Sequence, residues 1–209
     1  VFILGSILRF DRDPYSWRTK SSQLLRRKQL ILGSILFHLG ILTVLAGHFV
    51  GLLTPIAVFD ALGIPHGAKQ ILAMTAGGIA GSLCLIGLCM LLHRRLFDTR
   101  IRNNSSKADI LVLLILLVQL LLGLGTIPVS MQHLDGHEMV KFMNWAQHVV
   151  TFRGNAHSFI ADVNIIFKLH ITLGLTLLVI FPFTRLVHAL SAPVGYLTRP
   201  YQIVRKRAV

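Results

Sequence analysis

The residues of this chain best suited to chemistry are four histidines inside long apolar runs, His38 and His48 in one and His170 and His188 in another. Neutral imidazole binds transition metals readily, and an ionisable side chain is costly to bury in lipid, so each intramembrane histidine is a functional-site candidate. Leu30 to Leu53, LILGSILFHLGILTVLAGHFVGLL, runs for 24 residues without Asp, Glu, Lys or Arg. As a helix it is roughly 36 Å long, enough to cross a bilayer core. His38 and His48 are ten residues apart, about 15 Å along that axis. One small cofactor cannot touch both, which implies two sites stacked across the membrane. His170 and His188 are eighteen apart, five full turns, which places them on one face about 27 Å from each other. Helix tilt and a bend at Pro182 would reconcile the two spacings at roughly 20 Å between centres.

The elements that must position these residues follow from composition. The chain is 54% hydrophobic and 14% charged, with a mean hydropathy of +0.68, which specifies an all-α integral membrane protein with one domain over residues 1–209. Five transmembrane helices are expected. Val1 to Leu8 is apolar, too short to span, and reads as the end of a first helix whose beginning is missing; the other spans cover about 30–53, 70–92, 110–130 and 163–190. A break is expected near Pro128. Met139, Phe142, Met143, Ala146 and Val150 fall at helical spacing, so Glu138 to Phe152 reads as an amphipathic helix on the membrane surface within the last outer loop.

A net charge of +13 would suggest nucleic acid in a soluble protein, but here it records topology. The segment Arg9 to Lys28 holds seven basic residues, His93 to Lys107 five, and the end from Arg185 five; the opposite side holds only Lys69, Lys141, Arg153 and Lys168. The positive-inside rule puts the first loop and the basic 191–209 tail in the cytoplasm, the tail docking soluble subunits or lying on anionic lipid. Cys84 and Cys89 read as small apolar packing residues, and the absence of CxxCH excludes covalent c-type haem. Gly77 and Gly81 form a small-xxx-small pair for close helix packing, as does most of the stripe Gly33, Gly40, Gly47 and Gly51.

With this topology His38 lies level with His188 toward the cytoplasm, and His48 with His170 toward the outside. One imidazole from each of two antiparallel helices, on opposite faces of a macrocycle, is what a six-coordinate b haem requires, so four histidines imply two haems. Gly174, one turn beyond His170, would let a porphyrin approach. Arg102, Lys107 and Arg185 are either propionate partners or simply positive-inside residues. His66, His93, His133, His137, His148 and His157 fall in loops or at membrane borders, where solvation explains them. A haem-free proton or metal transporter would also use intramembrane histidines, but it calls for acidic residues within spans, and Asp109 and Asp162 sit at span ends.

Several stretches resemble the gamma, or cytochrome b, subunit of membrane-bound respiratory nitrate reductase. They are YSWR (Tyr15 to Arg18), LFHLGIL (Leu36 to Leu42), GHFVGLLTP (Gly47 to Pro55), AKQ (Ala68 to Gln70), TIPVSMQHLDGHEM (Thr126 to Met139), WAQHVVTFRG (Trp145 to Gly154), FKLHITLG (Phe167 to Gly174) and FPFTRLVHALSAPVGYLTR (Phe181 to Arg199). The resemblance implies five transmembrane helices in a bacterial inner membrane and two b haems, one on His48 with His170 and one on His38 with His188. It also implies quinol (menaquinol or ubiquinol) oxidation near the outer haem at positions matching Gly47, His48 and Lys69. Electrons would pass inward through both haems to a cytoplasmic iron-sulfur beta subunit and on to a molybdenum-containing alpha subunit that reduces nitrate. A di-haem cytochrome b of another quinone-linked oxidoreductase is the nearest alternative.

Overall fold

The computed structural model describes residues 1–17 and 27–191. Expectations for Arg18, Lys20 and Arg26 and for the 191–209 tail beyond Ser191 lie outside the described residues. Among those described there are helices and no strands: α1 (Phe2–Arg12), α2 (Arg27–Leu53), α3 (Ile56–Ala61), α4 (His66–Phe97), α5 (Thr99–Asn103), α6 (Lys107–Ser130), α7 (His137–Val150) and α8 (Ile165–Ile180), with 3-10 turns at Pro14–Ser16, Ala156–Ile160, Phe181–Phe183 and Arg185–Leu190.

Among the described residues, four helical segments are long and apolar enough to cross a membrane: Arg27–Leu53, His66–Phe97, Lys107–Ser130 and Ile165–Phe183. The α1 helix, counted as part of a fifth span from sequence, has 11 residues, about 16 Å, which is short of the bilayer core. Two compact units divide the chain, Val1–Lys20 with Val179–Val209 and Ser21–Leu178.

Helix ends follow local chemistry. Pro55 ends α2 and caps α3, and Pro65 caps α4, because the residue before a proline is pushed out of the α region. Ser106 and Asp109 form a reciprocal capping box at the start of α6, satisfying donors that the first turn leaves open. Asp109 also reaches Arg95 Nη1 at 3.6 Å, so this acid is occupied in fastening the ends of α4 and α6. Pro128 causes no break. It lies in the last turn of α6, where a missing N–H and a ring clash disturb only the helix end.

The core of the larger unit is α2 against α4. A Cβ on Gly40 would lie 2.5 Å from the Ala80 carbonyl oxygen, and one on Gly87 would fall on the Phe37 backbone nitrogen. Small residues let the two backbones touch, the usual means of helix association in lipid. Gly33 and Gly40 thus do the packing expected of the α2 stripe, whereas Gly47, Gly51 and Gly77 face open space. On α4 the contact runs through Ala80, Cys84 and Gly87, while Gly81 receives Leu124 of α6. Cys84 is buried as expected of a packing residue, and Cys89 is exposed.

The apolar face of α7 turns onto the bundle's own helix ends rather than outward. Met143 and Ala146 are buried. The Gln147 side-chain amide donates to the Leu52 and Thr54 carbonyls at 3.2 and 3.0 Å, closing carbonyls that the end of α2 leaves open. The expected long fifth span is interrupted. After α8 ends at Ile180, Phe181–Phe183 forms a 3-10 turn, Thr184 is extended, and Arg185–Leu190 is a second 3-10 segment. Pro182 cannot donate to the ladder and ends the helix instead of bending it. The five-turn relation between His170 and His188 therefore does not hold.

Candidate haem and quinol sites

His48 projects from α2 and His170 from α8, and their ring centroids stand 6.1 Å apart with planes inclined at 41°. Both rings belong to one compact unit. His48 Nδ1 donates to the Val44 carbonyl at 2.8 Å, and His170 Nδ1 donates to the Gln119 carbonyl at 3.2 Å. A carbonyl can only accept, so Nδ1 carries the proton in both rings. The lone pair is left on Nε2, the usual arrangement behind a metal-binding imidazole.

Whether the pair fits a haem iron can be tested on the centroid distance. With a metal–imidazole bond of about 2.0–2.1 Å and about 1.1 Å from nitrogen to ring centre, two trans imidazoles hold their centroids roughly 6 Å apart. The observed spacing matches. Among the described residues no group of three or more His, Cys, Asp or Glu is placed to hold a metal ion.

The neighbours of His170 were missed in sequence. Gly123 of α6 leaves room for the ring: a Cβ there would lie 2.9 Å from His170 Cε1. Gly174, assigned above to porphyrin approach, instead accommodates Gln119, whose Nε2 would stand 3.1 Å from a Cβ at that position. Gln119 therefore touches α8 twice, through its carbonyl at His170 and its side chain at Gly174. The only signal for it in sequence was an amide within an otherwise apolar span. Gly47 has nothing within 4 Å of its Cβ direction, which leaves open space beside His48.

Lys69 lies at the same end of α2. Its Nζ donates to the Gly51 carbonyl at 3.0 Å and to Met143 Sδ at 2.7 Å, and stands 3.8 Å from the Phe59 ring centre. Gly51 is three residues after His48, less than one helical turn along α2. The lysine is only 7% exposed, so it is held between the end of α2, α3 and the middle of α7 rather than stretched toward water. Its neighbour Gln70, 3% exposed, donates to the Ser130 and His133 carbonyls at 3.0 and 2.6 Å, closing the end of α6.

His38 and His188 belong to different compact units, and each is described in its own. His38 Nδ1 donates to the Ser34 carbonyl at 2.7 Å, and His188 Nδ1 to the Arg185 carbonyl at 2.5 Å. Both therefore present Nε2 in the same tautomer as the other pair. The arrangement is not confined to these four, since His148 Nδ1 also donates to a carbonyl, that of Gly154. Among the basic residues considered for propionates, Arg102 and Lys107 are exposed and Arg185 is half-buried. Arg94, which sequence reasoning passed over, is 3% exposed.

Comparison with known proteins bears on the whole chain. The family model described as nitrate reductase gamma subunit matches residues 1–207. The respiratory nitrate reductase 1 gamma chain of Escherichia coli (strain K12) is 54% identical over 207 residues, 99% of this chain and 92% of that protein. The respiratory nitrate reductase 2 gamma chain of the same organism is 51% identical over 207 residues, covering 99% and 91%. The nitrate reductase gamma chain of Bacillus subtilis (strain 168) is 42% identical over 208 residues, covering 100% and 93%.

Proposed function

Because the chain belongs to the nitrate reductase gamma subunit family, a component of an oxidoreductase complex, we propose that it is the quinol-oxidising di-haem b subunit and membrane anchor of that complex. In this reading it takes electrons from quinol near the outer face and delivers them to a cytoplasmic iron-sulfur beta subunit, and through it to a molybdenum-containing alpha subunit that reduces nitrate to nitrite. The observation that carries the proposal is the facing pair His48 and His170, with both Nδ1 atoms committed to carbonyls and Lys69 held within a turn of His48.

His48 and His170 would hold one b haem through Nε2, and His38 and His188 the other. Bound there, haem would supply one-electron exchange. The chain's own residues do the rest. Quinol oxidation releases two electrons and two protons, so the quinol oxygen needs a donor that stabilises it as its proton leaves. The Lys69 ammonium has three donors and no acceptor. One is spent on the Gly51 carbonyl, while the thioether of Met143 is a weak acceptor that a quinol oxygen can replace. The space beside Gly47 admits the substrate ring. Protons leave to the outer side and electrons pass inward, which makes the step electrogenic. The C-terminus is cytoplasmic in this topology.

Reduced-minus-oxidised and pyridine-haemochrome spectra, with haem quantified per chain in the membrane complex, test this reading. Two b haems are expected, with one lost in His48→Ala and the other in His38→Ala. Lys69→Met should keep both haems and lose quinol-driven reduction while dithionite reduction persists. Wild-type protein without haem, or unchanged quinol oxidation in Lys69→Met, would overturn the corresponding part.

A further inference from the structure

The segment that presents His188 is not helical, so something else must hold it. The break at Pro182 leaves carbonyls without helical partners, and such groups are tolerated at membrane depth only when protein or water satisfies them. Arg9 of α1 does so. Its Nη1 donates to the Pro182 and Thr184 carbonyls at 2.6 and 2.7 Å, while Nε and Nη2 donate to Ser16 Oγ and the Ser16 carbonyl at 3.2 and 3.0 Å.

Other contacts fix the same stretch on either side. Phe2 meets Phe181 edge to face at 4.9 Å, and a Cβ on Gly5 would lie 3.0 Å from Pro182 Cγ. Trp17 donates its indole N–H to Ser191 Oγ. Between these points Thr184 Oγ1 accepts from Leu186 N at 3.2 Å, and the Arg185 carbonyl accepts from His188 Nδ1. The carbonyl that Arg9 holds at Thr184 and the carbonyl that His188 Nδ1 meets at Arg185 thus belong to consecutive residues of one backbone stretch.

We infer that Arg9 is a positioning residue for His188: its planar fork fixes the two carbonyls at the break and with them the aim of Nε2. The inference rests on the reading of His188 as a haem ligand. A guanidinium is needed because it offers several N–H donors in one rigid plane, whereas an ammonium is a single point of charge.

The test uses the membrane-assembled complex with Arg9→Lys, Arg9→Gln, Thr184→Val, Arg12→Ala and His188→Ala. Haem is counted per chain, and each haem is followed by potentiometric titration and by its low-spin electron paramagnetic resonance signal. His188→Ala identifies the component that depends on that ligand. Arg9→Lys, which preserves the positive-inside charge, and Arg9→Gln should weaken retention of that component on the order of 10-fold and shift its potential and signal, leaving the other component as in wild type. Thr184→Val, with Arg9 intact, should move the same component in the same direction, and Arg12→Ala should move neither. Wild-type potential and signal in both Arg9 variants, or an equal shift of both components, would overturn the role of Arg9. Retention of both components in His188→Ala would instead remove the ligand assignment beneath it.

Discussion

The His48 and His170 region and the His188 segment present imidazoles in the same tautomer by different means. At the first, two long helices bring the rings within 6.1 Å of each other, and the fit is set by packing, with Gly123 and Gln119 of α6 shaping the space around His170. At the second, the helix has ended, and a 3-10 segment is moored by hydrogen bonds from Arg9 and Trp17 and by the one that Thr184 Oγ1 accepts from Leu186 N. A packed site is disturbed by added volume, and a moored one by removing donors. Substitutions that distinguish volume from hydrogen bonding should therefore separate the two regions.

The largest effect is expected from Gly87→Val, which breaks the comparison by removing the scaffold. The new side chain would meet the Phe37 backbone nitrogen and the Gly33 carbonyl, atoms with no rotamer to escape into. Overpacking of this kind costs about 1–3 kcal/mol, and more where backbone must move. Both haem components and the yield of assembled complex should fall together, measured as haem per chain in membranes. Gly123→Val sharpens the comparison. Its Cβ would press on His170 Cε1 from 2.9 Å, so the component dependent on His170 should be lost or shifted while that dependent on His188 is unchanged in an optical redox titration.

The next effect isolates quinol from haem. Met143→Gln replaces a weak acceptor for the Lys69 ammonium by a strong one of similar size. The KM for quinol should rise about 2- to 10-fold, the worth of one net hydrogen bond, with both haem spectra intact. Met143→Leu removes the competing acceptor and should not raise KM. Steady-state kinetics with a soluble quinol analogue would check both, and a rise in the Leu variant would show that the sulfur positions the ammonium rather than competing for it.

What could be read from the sequence divides along the same line. His38, His48, His170 and His188 stood out because imidazoles are rare and costly in apolar spans, and Lys and Arg counts set the levels expected for them. The helical periodicity of α7 was a local feature. Gly123, Gln119 and Met143 were not legible as neighbours of the site, because their roles depend on the rotation of one helix against another, which an apolar sequence leaves open on all sides. The same ambiguity made Gly77 look like a packing residue when Gly87 does that work. At Pro182 the residue was noticed but its consequence underestimated, since whether proline bends or ends a helix depends on who satisfies the freed carbonyls, and Arg9 lies 173 residues away.

The smallest effect concerns the loop that follows α7 and is tied to it by Lys141. Lys141 Nζ bridges Asp162 at 2.8 Å and Glu138 at 3.0 Å. Its hydrogen bonds to Asp162 and Glu138 raise its pKa above the ordinary 10.5, while the hydrogen bond from Lys141 holds the Asp162 carboxyl below its ordinary 3.8. The carboxylate's contribution is therefore complete above 3.8 and lost as pH falls through its lowered value; that of the ammonium is complete below 10.5 and lost as pH rises through its raised value. Across the physiological range the clamp should not titrate. Both partners of the Asp162 bridge are solvated, so its contribution is small. Asp162→Asn should slightly speed amide hydrogen exchange in residues 151–164 at neutral pH without moving either haem component. The difference from wild type should shrink as the medium is taken well below pH 3.8, because protonation then removes from the native loop the charge that the substitution has already removed.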